Sequence, residues 1–182
     1  MGSSSSERSA SMSAMRSSQV WSVSSITLPV RRRVRLHLLA AEALERLPEA
    51  AREKRAAELA WHFLQADEGR RALPYAMVAG DQAEAVFAHT EALRHYRTAL
   101  ELAHAVDDRR REAEALEKLG VVLRLGMQYD QARDVLERAA DTYRAVDDPE
   151  GEARVTHHIG NVLHFEGAGM TQNSPLEAIP GL

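Results

Sequence analysis

Four residues near the end of the chain come closest to forming a chemical site: His157, His158, His164 and Glu166. Imidazole nitrogens and a carboxylate are zinc ligands, and His157 and His164 lie seven residues apart, two turns along one side of a helix. Yet neither H-E-x-x-H nor a three-ligand spacing occurs, so surface or groove histidines are the ordinary reading and no metal is assigned. Nucleophilic chemistry finds less support. The serines crowd the first 25 residues, where nothing holds them in place, and none stands beside a His and an Asp on a patterned segment. The chain has no Cys, which excludes disulfides, thiolate zinc sites and Cys nucleophiles. Carboxylates are plentiful, but they are spaced as helix-surface partners of arginine. No catalytic residue and no cofactor is assigned, and the chain is read as a non-enzyme.

Binding chemistry is narrowed by charge. The 182 residues carry a net −4, but residues 1–36 hold six arginines against Glu7 alone, +5, leaving −9 for the rest. A body that acidic is a poor surface for nucleic acid. The run Arg31-Arg32-Arg33 with Arg35 reads as a solvated helix start, and Trp61 with Phe63 as packing residues rather than a base-stacking platform. No apolar run is long enough to span a bilayer, and no secretory leader is visible. A soluble, cytoplasmic protein is expected. Met1-Gly2 with Ser6 matches the myristoylation pattern, but so short a pattern arises by chance in a Ser-rich stretch.

The elements that would position any site are helical. Hydrophobic residues make up 45% and aromatics only 5%, with Ala, Leu, Glu and Arg abundant, a balance that favours packed helices. Residues 1–30 show no period and are expected to be a disordered leader. Val34, Leu38, Ala41, Leu44 and Leu47 then recur at three- and four-residue steps up to Pro48, and Ala56, Leu59, Ala60, Phe63 and Leu64 share a second face ending at Asp67-Glu68-Gly69. Residues 31–66 therefore form a helical hairpin.

Sliding the sequence against itself by 40 residues exposes a repeat over 67–166. Gly80, Gly120 and Gly160 fall on one register, as do Ala92 with Ala132 and Ala99 with Ala139; Ala105-Val106-Asp107-Asp108 recurs as Ala145-Val146-Asp147-Asp148. Each unit holds two helices, 70–106 and 109–146, with a partial third at 149–166. Asp108 and Asp148 stand at N-cap positions, and Gly126 ends a helix before Met127-Gln128-Tyr129-Asp130 turns the chain. Glycines inside good helices cost about 1 kcal/mol each relative to Ala, so close helix approach must require them. Leu93, Tyr96, Leu100, Leu136 and Tyr143 are the bulky residues expected around Ala92, Ala99, Ala132 and Ala139.

The series Gly80, Ala92, Tyr96, Ala99 and its copy Gly120, Ala132, Leu136, Ala139, with Gly160 opening a third, resembles the tetratricopeptide repeat. A period of 40 also falls in the range of HEAT and armadillo repeats, but the Gly and Ala positions favour the tetratricopeptide pattern in a long-period form. The resemblance implies an all-α, right-handed solenoid of antiparallel helix pairs, about seven helices in all, that binds protein partners. More narrowly, Ala57-Glu58-Leu59-Ala60-Trp61-His62-Phe63, Ala72-Leu73-Pro74-Tyr75 and Glu91-Ala92-Leu93-Arg94-His95-Tyr96 resemble the segment after the ATPase module of bacterial signal-transducing regulators. Arg35-Leu36-His37 with Ala40-Ala41-Glu42-Ala43-Leu44 resembles the helix leading out of that module. Together the resemblances cover residues 31–166. Some such regulators carry LuxR-type DNA-binding or cyclase domains, but no phosphate loop, cyclase segment or helix-turn-helix occurs here.

In such a solenoid the first helix of each pair lines the groove, so register implies a partner surface of Met77, Asp81, Glu84, Glu114, Glu117, Val121, Arg124, Arg154, His157, Asn161 and His164. Met77 and Asp81 do not match the Lys and Asn clamp of members that bind chaperone C-termini. Residues 167–182 read as a turn at Glu166-Gly167-Ala168-Gly169-Met170 followed by a flexible tail. The last helix is thereby left without a partner. Val155, Ile159, Val162 and Leu163 are expected to form an open apolar face suited to self-association. Two other expectations compete: a truncated piece of a larger regulator, and a helical metal protein using the C-terminal histidines.

Overall fold

The computed structural model describes residues 29–172, and every regular element among them is a helix: α1 (Val30–Glu45), α2 (Glu49–Glu53), α3 (Ala56–Gln65), α4 (Gly69–Ala85), α5 (His89–Ala105), α6 (Arg109–Leu125), α7 (Tyr129–Ala145) and α8 (Pro149–Gln172). Most of the leader and the end of the tail lie outside these residues. From α3 onward each helix packs on the next, so the fold is a helical solenoid of adjacent pairs. Small residues make the close approach practicable: Ala72, Ala76, Ala92, Ala99, Ala103, Ala113, Ala115, Ala132 and Ala139 are all fully buried, with Tyr96, Leu136 and Tyr143 filling the space between them. Burying each ring fully contributes about 2–3 kcal/mol.

One turn geometry recurs every twenty residues. Asp67, Phe87, Asp107, Met127 and Asp147 all adopt left-handed backbone, with φ of 61°, 58°, 55°, 57° and 55°. The following N–H returns to the carbonyl five residues back, as in Glu68 to Phe63 (2.9 Å), Ala88 to Ala83 (2.9 Å) and Gln128 to Leu123 (3.0 Å), which satisfies orphan carbonyls at the helix end. Aspartate tolerates this conformation, whereas Phe87 and Met127 carry a local cost of about 1–2 kcal/mol each. Gly126 is not the left-handed residue: its φ is −82°, and Met127 makes the turn. Asp108 and Asp148 cap α6 and α8, accepting from the N–H of Arg111 (3.1 Å) and of Gly151 (2.9 Å).

Among the described residues there are eight helices, against about seven expected. The expected second helix is broken at Lys54-Arg55, where Arg55 has φ −113° and ψ 21°, so α2 and α3 share the slot that α5 and α7 each fill alone. The freed Glu53 carbonyl accepts a hydrogen bond from Gln82 Nε2 at 2.6 Å. At the other end, α8 runs through Gly167-Ala168-Gly169 to Gln172 instead of turning after Glu166. Two glycines cost a helix roughly 2 kcal/mol but do not block it, and no proline intervenes before Pro175.

The open face of α8 also differs from expectation. Val155 and Val162 are fully buried and Ile159 partly so, because this stripe packs against α7. What faces outward is Ala153, Thr156, Gly160 and Leu163. Gly160, expected to receive a packing knob, is exposed, and a Cβ there would meet nothing within 4 Å. Its counterparts are filled: a Cβ at Gly80 would collide with the Tyr96 ring, and one at Gly120 would fall 2.5 Å from Leu136 Cγ. The reason is that α8 has no second helix of its own among the described residues.

Candidate functional site

The first helices of successive pairs, α4, α6 and α8, are drawn side by side by ion pairs that repeat down the stack. Lys118 on α6 reaches Asp81 on α4 (Nζ to Oδ1, 2.8 Å), and Arg154 on α8 reaches Glu117 on α6 through Nε and Nη2, both at 3.2 Å. Each pair spans 37 residues, one repeat less one helical turn. Behind them stand two tyrosines from the second helices. Tyr96 donates to Asp81 Oδ1 (2.7 Å) and Glu84 Oε2 (2.9 Å), and Tyr143 donates to Glu117 Oε2 (2.6 Å). Burial raises the pKa of both phenols above the ordinary tyrosine value, and their bonds to these carboxylates push the same way, so both remain donors.

These helices enclose a cleft of about 530 Å³ lined by Pro74, Met77, Val78, Asp81, Arg111, Glu114, Glu117, Lys118, Tyr143 and Arg154. Its floor is apolar and its walls carry both signs of charge. Of the residues placed in the groove by register, Met77, Asp81, Glu114, Glu117 and Arg154 line this cleft. Glu84 and Arg124, near the C-terminal ends of α4 and α6, are not among the residues that line it. Val121, His157, Asn161 and His164 lie beyond the cleft on α6 and α8, where His157 Nε2 and Asn161 Nδ2 are 3.1 Å apart.

Arg111, Lys118 and Tyr143 escape a reading by 40-residue register. The signal that finds the first two is charge at other offsets: Arg111 beside Glu114, and opposite charges 37 residues apart. Tyr143 is expected from the sequence as a packing residue, and its ring does cover Gly151, where a Cβ would collide with it, but its place in the cleft lining emerges only from the fold.

The C-terminal histidines do not converge. His158 faces Glu117 at 3.7 Å, His164 lies edge-on to Phe165, and Glu166 pairs with Arg133 at 3.1 Å. Burial lowers the pKa of His158, and Arg124, His157 and Arg154 add to this against the opposing field of Glu117. Trp61 and Phe63 part company too. Phe63 is buried and stacked on Tyr75 at 5.8 Å with the Arg71 guanidinium 4.3 Å from its ring centre, whereas Trp61 stands half-exposed, edge-on to His37 at 4.8 Å. Arg71 and Tyr75 both donate to Glu45, at 2.5 and 3.1 Å, and so fasten α1 to α4.

The tetratricopeptide repeat family matches residues 79–145, from the last turns of α4 to the end of α7. Repeats of this family generally mediate protein–protein interaction and typically serve as scaffolds without catalysis. No curated protein sequence matches the chain. Among solved structures, the crystal structure of BtubC (BKLC) from P. vanneervenii is similar over 84% of this chain and 79% of that one, with 15% identity and a TM-score of 0.35. No helix among the described residues is long and apolar enough to cross a membrane.

Proposed function

We propose that this chain is a non-catalytic, cytoplasmic interaction arm, and that it takes a polar segment of a protein partner into the cleft between α4 and α6. The observation that carries the reading is the cleft itself. It has an apolar floor of Met77 and Val78, and walls whose charged groups are held in place by the tyrosines behind them and by neighbouring repeats. Preorganised polar groups around an apolar floor favour recognition, because little side-chain freedom is lost on binding. The matched repeat family supports the partner being a protein. The sequence resemblance to the arms of bacterial ATPase regulators supports a role as a sensor or regulatory element of a signalling or transcription-regulatory system.

Arg111 offers the cleanest test, because its link to Glu114 is long at 3.8 Å and its replacement costs the fold little. Peptides selected from a random display library against the full chain should lose about tenfold or more in affinity, roughly 1.4 kcal/mol, in Arg111→Glu and in Lys118→Glu. They should bind Leu39→Ser, on the far side of α1, unchanged. Peptides that bind all four proteins alike would remove the cleft from consideration.

A further inference from the structure

The turns within helix pairs differ from those between pairs in a way that packing does not require. Between pairs, the left-handed residue is Asp67, Asp107 or Asp147, a type that accepts this backbone. Within pairs it is Phe87 or Met127, which the backbone disfavours and the core does not use, since they are 79% and 75% exposed. Both turns project from one edge of the stack.

The same edge carries a charge pattern. Three residues before each turn residue, and forty residues apart, stand Glu84 and Arg124. Glu84 accepts from Tyr96 on Oε2, and no hydrogen bond reaches its Oε1 among the described residues. Arg124 has no ion pair among the described residues: its guanidinium lies over the Phe165 ring at 6.0 Å, and its Nε is shielded from solvent with no acceptor. Equivalent positions of adjacent repeats thus hold opposite charges beside matching apolar knobs.

We infer that this edge docks a second copy of the chain. A two-fold axis running between the two turns brings Phe87 onto the partner's Met127 and Glu84 onto the partner's Arg124, and makes each contact twice, as closed dimers require. The alternative two-fold, along the row of turns, sets Glu84 against the partner's Glu84 and Arg124 against the partner's Arg124. Like charges reject it. A thioether on a ring edge is a favourable contact, so pairing Phe with Met gains more than area alone. The contact is independent of what the α4–α6 cleft binds.

The full chain, followed by light scattering and sedimentation equilibrium from about 1 µM to about 1 mM, should pass from monomer to dimer, in keeping with the weak affinity of a small contact. Phe87→Gly with Met127→Gly should abolish the dimer while raising the monomer's Tm by a few degrees, because glycine accepts the left-handed backbone. That gain separates lost docking from lost folding. Glu84→Arg and Arg124→Glu should each weaken the dimer tenfold or more, and the double exchange should restore it, since the two-fold then pairs the reversed charges. Leu163→Arg, on the open side of α8, should leave it intact. A chain monomeric up to about 1 mM would overturn the inference, as would a dimer that survives the glycine pair or is lost in Leu163→Arg. Peptide binding in the cleft, measured on the glycine variant, reports separately on the proposed function.

Discussion

The ring of Tyr96 lies directly over Gly80, filling the space in which any other residue would place its Cβ. The contact joins the two helices of the first full repeat, and the phenol beyond it reaches Asp81 and Glu84 at the cleft. A single position therefore links close packing to the candidate site.

Gly80→Ala should destabilise the protein by roughly 1–3 kcal/mol, because the ring is buried and must move. Gly160→Ala should instead be neutral or stabilising by up to about 1 kcal/mol, since a Cβ meets nothing there and alanine favours the helix. Urea unfolding of both variants decides the matter; equal losses would mean that α8 is packed on its open side.

Glu117 should matter more to the fold than Asp81. Tyr143, Arg154 and His158 all converge on Glu117, which is 13% exposed, while Asp81 is 48% exposed. Glu117→Ala should cost about 2–3 kcal/mol by leaving a buried donor unpaired. Lys118→Ala, which removes only a screened pair, should cost less than about 1 kcal/mol. Thermal melts in low and high salt would show the contrast, and a larger loss in Lys118→Ala would contradict it.

Mild acid should weaken the fold. Burial lowers the pKa of His62, His95 and His158, so below about pH 6.5 the unfolded chain takes up protons that the folded chain resists. Their favourable contribution is complete above that pH and is lost as pH falls. Denaturation midpoints should drop between about pH 7 and 5, and His158→Gln should flatten the decline. A midpoint constant across this range would show that these rings ionise freely in the folded state.

Alkali should weaken the fold as well. With the pKa values of Tyr75, Tyr96 and Tyr143 raised, mainly by burial, stability holds up to about pH 10 and declines above it as the unfolded chain ionises first. Ultraviolet titration should show a late, cooperative component that shrinks in Tyr96→Phe and Tyr143→Phe. An unshrunken component would assign it to other residues.

Much of the helix order was legible, because Gly80, Gly120 and the alanines of the second helices recur at one offset and each marks a place where backbones must meet. Gly151 was not, since Arg111 stands forty residues before it and a repeat comparison passes over a glycine without a copy. The break at Lys54-Arg55 left no trace either, for neither residue is a helix breaker and the compensating bond comes from distant Gln82. Within the cleft, Lys118 was hidden because its partner Asp81 stands at an offset of 37, which reflects the slant between neighbouring helices rather than the length of the repeat, whereas register had already placed Arg154 there. Phe87 and Met127 were hidden for another reason. Their residue types argue against left-handed backbone, so only the folded chain reveals it.

Five left-handed turns at residues 67, 87, 107, 127 and 147 make the chain's ruler one helix long, not two. Duplicating a forty-residue block would preserve phase and extend the cleft. Duplicating a twenty-residue block would splice just as smoothly at the backbone, yet it would exchange inner for outer helices in everything downstream. Growth by single helices is therefore easy to fold and ruinous to the cleft face, which leaves the pair as the smallest unit by which such a chain lengthens and keeps that face continuous.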